Sequence, residues 1–170
     1  MLMSNVVVKE SDIVRAAGEG MDAFVKLFVD AIKNEIGGEL NAGNMGELNA
    51  QQTTLLAWDI LHEEVMDGGF VQLIYNGYGR FFFRNPFGRA MRQWGVDGLA
   101  TLMNRARPIY EKHHDEIEQE LSDDEFMALF ERFPKFDDCD DDFVEHEEDW
   151  TEAIAHYIDE HIDDFVTVEK

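Results

Sequence analysis

The chain has 170 residues, and its 37 Asp and Glu against 14 Lys and Arg give a formal net charge of −23. This charge argues against direct binding to nucleic acid or to an anionic membrane surface, because the field of the protein repels both. Hydrophobic residues make up 45% of the sequence, which is enough for one core, and the single cysteine, Cys139, excludes an internal disulfide and fits a cytoplasmic location. We expect neither a signal peptide nor a membrane span, because the start lacks a basic segment and no apolar run approaches about 18 residues.

The first predicted elements are a short strand and two helices. Residues 6–9, which begin with three β-branched valines, are a candidate strand. Ser11 or Asp12 can cap a first helix. Residues 21–36 predict an amphipathic helix, because their apolar side chains recur at intervals of three and four.

A glycine- and asparagine-rich connection follows the second helix. Residues 37–48 hold the string GELNA twice at a spacing too short for a repeat protein, and we interpret them as a loop. Asn49 is the expected N-cap of a helix that runs to about Met66. We therefore divide the chain into an N-terminal helical extension, residues 1–48, and an acidic helical domain, residues 49–170.

Short helices and one candidate strand are predicted in the middle of the chain. Residues 70–75 predict a short helix, and residues 80–84 are a candidate strand. A further helix is expected over 86–94, with proline at its first position. Asp97 is the expected N-cap of the next helix, and Pro108 should kink or divide that helix.

The C-terminal third predicts two more helices and carries most of the charge. Ser122 and Glu125 form a capping box, and a final helix begins within 140–143 and continues to about Phe165. Residues 111–170 have a net charge of −20. With only these strand candidates, the predicted fold class is all-α, as one compact domain.

One stripe of the final helix is apolar, which predicts burial. Its members are Phe143, Trp150, Ile154, Tyr157, Ile158, His161 and Phe165. The other side is acidic and is the predicted partner-binding surface. It comprises Glu145, Glu148, Asp149, Glu152, Asp159, Glu160 and Asp163.

This acidic surface extends over about 27 Å of helix at 1.5 Å per residue. Glu145 with Asp149 and Glu148 with Glu152 are like-charged pairs four residues apart, each destabilising the helix by about 0.2–0.5 kcal/mol. Such a face is either a solvated surface or a row of charges that imitates DNA phosphates and occupies the basic surface of a DNA-binding protein.

Residues 61–77, LHEEVMDGGFVQLIYNG, carry a motif of the form E…(N/D)-G-G-F-x-Q…N-x-x-G. This segment resembles the signature of a family of small acidic bacterial proteins named for DNA mimicry, and the resemblance covers roughly residues 50–166. It implies an all-helical fold, a tendency to form homodimers, and binding of a helix-turn-helix transcription factor in competition with operator DNA. Asp67 stands where asparagine is common in the family.

The residues of this motif have a structural interpretation of their own. Gly68 and Gly69 permit a left-handed helix end and a close approach of two helices, while Phe70 fills the space between them. Gln72 and Asn76 would then bind backbone groups at the turn. A ligand pocket around Phe70 is the alternative.

An enzyme would need a metal or an acid–base pair, and the sequence supports neither well. Asp138, Asp140 and Asp142 match the start of a calcium loop, but the sixth position is Phe143 where the loop requires glycine. His156 with Glu152 or Glu160 could hold a metal.

No catalytic motif is present, and we predict no catalytic residue, no metal site and no cofactor. The arginines of residues 80–107 should pair with the acidic C-terminal third, within one chain or across a dimer. We predict a non-catalytic, cytoplasmic protein that binds a basic nucleic-acid-binding partner, most simply a transcription factor. The alternatives are an immunity-type protein that neutralises a basic toxin or nuclease, and, in another class, a metal-dependent hydrolase.

Overall fold

A computed structural model describes residues 5–170, and helices dominate it. Its elements in chain order are β1 (Val7–Lys9), α1 (Glu10–Glu19), α2 (Met21–Ile36), α3 (Ala50–Tyr75), α4 (Gly79–Arg84), α5 (Phe87–Gln93), α6 (Asp97–Ile117), α7 (Asp123–Arg132), α8 (Asp137–Glu160), α9 (Ile162–Phe165) and β2 (Thr167–Glu169). The predicted all-α class is confirmed.

The chain forms two compact units. One contains residues 5–60 and 151–170, and the other contains residues 61–150. The predicted domain boundary after residue 48 stays a prediction.

The first unit contains both strands. β1 lies parallel to β2, with Val7 opposite Thr167 and a hydrogen bond of 2.7 Å from the Thr167 N–H to the Val6 carbonyl. The predicted strand at the N-terminus is confirmed, whereas its partner β2 was not foreseen. Helix α2 has the bounds that its periodicity predicts and ends at Gly37 with φ +83°.

The start of α3 is held by two residues that cap each other. The Gln52 N–H donates to Asn49 Oδ1 at 2.8 Å, and the Asn49 N–H donates to Gln52 Oε1 at 3.0 Å. The predicted N-cap at Asn49 is therefore confirmed. The buried Gln52 amide also donates to the carbonyl of Phe165 at 2.8 Å, so the same residue attaches the C-terminal segment.

Within the second unit, the predicted strand at residues 80–84 is wrong, because this segment forms α4. Gly79, Phe82 and Phe83 are all buried. Adjacent residues of a strand point to opposite faces, whereas positions three and four residues apart share one face of a helix. The helix therefore buries both phenylalanines on the same side.

Helices α5 and α6 begin one residue or so from the expected positions, with Pro86 and Val96 as their N-caps. The expectation that Pro108 divides α6 is wrong, since the helix continues to Ile117. The side chain at position 108 is exposed, so its ring lies on the solvent side of the helix.

The capping box before α7 is confirmed. The Glu125 N–H donates to Ser122 Oγ and the Ser122 N–H to Glu125 Oε1, both at 3.2 Å. The final helix is shifted from its prediction. It starts at Asp137 and ends at Glu160, and α9 follows as a separate turn after His161.

A bilayer crossing requires a long helix with little charge. None of the helices within residues 5–170 meets that requirement.

Candidate functional site

The solvent side of α8 is a row of carboxylates. After Asp137, its first residue, this helix exposes five acidic side chains in the second unit, namely Asp138, Asp141, Glu145, Glu148 and Asp149. At 3.6 residues per turn they fall within a sector of about 100° of the helix. The exposed acids therefore form one face.

The spacing of these five carboxylates is close to that of phosphates. Positions 138 and 149 lie about 16 Å apart along the helix axis, which corresponds to one charge about every 4 Å. One strand of duplex DNA carries a charge every 3.4 Å or so, and the whole duplex about one every 1.7 Å. This face thus approaches the linear charge density of a single DNA strand.

Acidic side chains of the first unit include the other predicted partner-binding residues. Glu152, Asp159, Glu160 and Asp163 are all exposed. His156 Nε2 lies 3.7 Å from Glu152 Oε1, on the solvent side of the helix. Near the turn at residue 161, Asp159, Glu160 and Asp163 line an open depression.

Among the residues that the structure describes, this histidine is the one basic side chain that forms an ion pair with any of the seven predicted partner-binding carboxylates. Within residues 5–170, no Lys or Arg nitrogen lies within 4.0 Å of any of them. All seven side chains are exposed to solvent. That they contact a partner stays a prediction. A row of exposed carboxylates without lysine or arginine partners keeps its full negative potential in solution.

The predicted apolar stripe of α8 is largely buried. Phe143, Ile154 and Ile158 are inaccessible to solvent, and Trp150 is 8% exposed. Tyr157 is half-buried, and its ring stacks on His161 with 4.0 Å between the ring centres.

The Gly-Gly-Phe segment is a kink inside α3. Gly68 has φ −145° and Gly69 has φ +72° with ψ −173°, so the helix that was expected to end near Met66 resumes after the kink and runs to Tyr75. The second of these conformations is one that only glycine adopts readily. Phe70 follows the kink and is fully buried, with its ring 6.2 Å from that of Phe136.

Polar residues of the motif meet on one side of the kink. The Gln72 side chain donates to Glu64 Oε2 at 3.0 Å and to Asp67 Oδ2 at 2.9 Å, and the Asn76 side chain donates to the same Glu64 oxygen at 2.8 Å. The expectation that Gln72 and Asn76 bind backbone groups is therefore wrong. Their side-chain amides instead bind carboxylates that precede the kink, and so connect the helical segments on its two sides. Because Gly68 has no side chain, the Gln72 side chain can occupy the space beside it.

A carboxylate from α8 fills the other side of the kink. The Phe70 N–H donates to Asp140 Oδ1 at 2.8 Å, and a Cβ atom on Gly69 would collide with the Asp140 carboxylate. Burial raises the pKa of Asp140 to about 7, despite the opposing hydrogen bond from Phe70. Sequence reasoning missed this contact, because only the fold brings positions 70 and 140 together.

The residues that resemble a calcium loop are not one. Asp138, Asp140 and Asp142 lie on the helix α8, where the Asp140 side chain points to Phe70 and Asp142 pairs with Arg105. Asp142, Glu145 and His146 each bring one ligand-type atom within 4.8 Å of the others. Because Arg105 already neutralises Asp142, we do not assign a metal to this cluster.

Two arginines of the basic segment pair with the acidic third of the chain. Arg84 forms two hydrogen bonds of 3.1 Å with the Glu111 carboxylate, and Arg105 pairs with Asp142. Pairing within one chain is thus observed for these two. Arg105 also lies beside Cys139, whose pKa is raised by burial, so this thiol is a poor nucleophile.

The fold and this surface define the class of protein: a helical, acidic chain with an exposed row of carboxylates. A model of the DMP19-like protein family matches residues 46–161. The DNA mimic protein DMP19 of Neisseria meningitidis serogroup B is 33% identical over 123 residues, which cover 71% of this chain and 74% of that relative. The chain belongs to the DMP19-like protein family.

Proposed function

We propose that this chain is a DNA mimic that occupies the basic, DNA-binding surface of a DNA-binding protein. The observation that carries the proposal is the exposed carboxylate face of α8, whose charge spacing approaches that of a DNA strand. The relative from Neisseria meningitidis bears the name of a DNA mimic, which supports the same function here.

We further propose a class of partner and an oligomeric state for this protein. The motif at residues 61–77 resembles proteins that bind helix-turn-helix transcription factors, and we propose a partner of that class. We also propose that the protein acts without catalysis, in the cytoplasm, and as a homodimer. An interface made mostly of charges associates rapidly and weakens as salt rises, because ions screen exposed charges beyond about 8 Å at 0.15 M.

A charge-reversal experiment tests the role of α8. Glu145, Glu148, Glu152 and Asp159 are changed together to lysine, and the protein is used as bait in lysate of the native host at 50 and 300 mM NaCl. We expect the wild-type chain to retain a DNA-binding protein at low salt only. The variant should lose it while its circular dichroism spectrum stays helical, because all four side chains are exposed.

A matched control separates this surface from net charge alone. Glu10, Glu19, Asp22 and Glu35 are also exposed acids, on α1 and α2, and reversing them changes the net charge by the same amount. The control should retain the partner. Equal capture by wild type, variant and control would show that the α8 carboxylates are not the binding surface.

A further inference from the structure

Residues 68–96 form a basic segment within an acidic chain, because they contain four arginines and no Asp or Glu. Arg84 of this segment pairs with Glu111. Arg89 and Arg92 of α5 are exposed, and in the part of the chain that the structure describes no carboxylate oxygen lies within 4.0 Å of their nitrogens. Positions three residues apart share one face of a helix. We call these two side chains the arginine face of α5.

Two residues define the side of α6 that packs against α8. A Cβ atom on Gly98 would lie 2.9 Å from Nε1 of Trp150. Arg105 pairs with Asp142 of the same helix α8. At 3.6 residues per turn, positions 98 and 105 point in directions only about 20° apart, so one side of α6 faces α8.

Helix α5 packs on the other side of α6. A Cβ atom on Gly88 would lie 4.0 Å from the Ala100 carbonyl oxygen and 4.0 Å from Met103 Cβ. Positions 100 and 103 point about 180° away from the side of α6 that faces α8. Two spacings between packed helices, of about 8–10 Å each, therefore separate the axes of α5 and α8. The arginine face is thus too far from the α8 carboxylates of its own chain to pair with them.

We propose that the arginine face of α5 binds the exposed α8 carboxylates of a second copy of this chain. The argument for this occupant is charge complementarity. Within the described residues, both the arginine face and Glu145 with Glu148 are exposed and lack ion-pair partners, and the fold keeps the two sets apart in one chain. The planar guanidinium of arginine can bind a carboxylate through two parallel hydrogen bonds, which makes it well suited to such a contact.

The net charge of −23 makes two copies repel each other, so the local pattern of charges has to overcome that repulsion. At 0.15 M salt, ions screen exposed charges beyond about 8 Å, which limits the repulsion to the surfaces that face each other. Exposed ion pairs are individually weak, so we expect a reversible association that depends on protein concentration. At 1 M salt the screening length falls to about 3 Å, and the association should disappear.

This contact is separate from the homodimer proposed above, and it rests on the exposed charges of the second unit and not on the proposed function. A second copy bound at α8 covers part of the surface that is proposed to imitate DNA. Self-association and binding of a DNA-binding protein should therefore exclude each other at these carboxylates.

Sedimentation velocity of the purified chain tests the proposal with no other protein present. In 0.15 M NaCl the average sedimentation coefficient of the wild type should rise with protein concentration, and in 1 M NaCl this rise should vanish. Arg89→Glu with Arg92→Glu should abolish the rise. Lys9→Glu with Lys170→Glu is the matched control, because it changes the net charge equally at exposed positions of the first unit, and it should keep the rise. No rise in the wild type, or equal behaviour of the arginine variant and the control, would overturn the proposal.

An exchange of charges then identifies the two surfaces that meet. Glu145→Lys with Glu148→Lys should also abolish the concentration dependence, while the circular dichroism spectra of both variants stay helical, because all four side chains are exposed. An equimolar mixture of this variant with the variant at Arg89 and Arg92 should associate again, since each chain supplies the charges that the other lacks. A mixture that sediments as its separate components would show that these two surfaces do not bind each other.

Discussion

Replacing Gly69 by alanine should be far more costly than replacing another glycine of positive φ. At φ +72° and ψ −173° a residue with a Cβ is strained by about 1–3 kcal/mol. The new Cβ would also collide with the Asp140 carboxylate, which must then withdraw from the Phe70 N–H. A buried donor without a partner costs about 1–3 kcal/mol, so the sum is about 4 kcal/mol.

Urea unfolding monitored by circular dichroism measures this loss of stability. Gly77→Ala is the control, because Gly77 has φ +95° and nothing within 4 Å of its Cβ position, so that only strain of about 1–2 kcal/mol is expected. In an Asp140→Ala background the space opposite Gly69 is open, and Gly69→Ala should then cost only its backbone strain of about 1–3 kcal/mol. Equal costs of the two glycine replacements in the wild-type background would refute the reasoning.

Three further substitutions test the energetics of the fold. Asp140→Asn should stabilise the protein at pH 8 by at most about 4 kcal/mol, from a pKa of about 7 against 3.8, and hardly at all at pH 4, as measured by urea unfolding at both pH values. Gln52→Ala should cost about 2 kcal/mol in the same assay, since it removes the buried acceptor and donor that serve the cap of α3 and the Phe165 carbonyl. Ser122→Ala should cost about 1 kcal/mol by removing the cap of α7, and hydrogen exchange of the Glu125 amide should show that loss locally.

Periodicity and capping residues predicted the helices that depend on local signals. Residues 21–36 and the capping box at Ser122 are as expected, because neighbouring residues determine both. The strand prediction for residues 80–84 was wrong, because a short apolar run with an arginine at each end has no period that distinguishes a strand from a helix. Its true state depends on which side chains the second unit buries.

In the candidate site, too, local features were predicted from the sequence and long-range contacts were not. The exposure of the α8 acids follows from helical spacing, and it was predicted residue by residue. The role of Gly69 in the Gly-Gly-Phe motif was not predicted, because Gly69 leaves space for the side chain of Asp140, which lies 71 positions later in the chain. Glu64 belongs to the motif, but its role as the acceptor for Gln72 and Asn76 requires the kink itself.

The central claim is that this chain and DNA compete for one surface. The most direct measurement uses the purified DNA-binding protein recovered by the bait experiment, bound to a fluorescently labelled duplex and titrated with the wild-type chain. Fluorescence anisotropy should fall to the value of free duplex, and the quadruple lysine variant at Glu145, Glu148, Glu152 and Asp159 should leave it unchanged. Anisotropy that stays high or rises while the chain binds would reveal a ternary complex and contradict DNA mimicry.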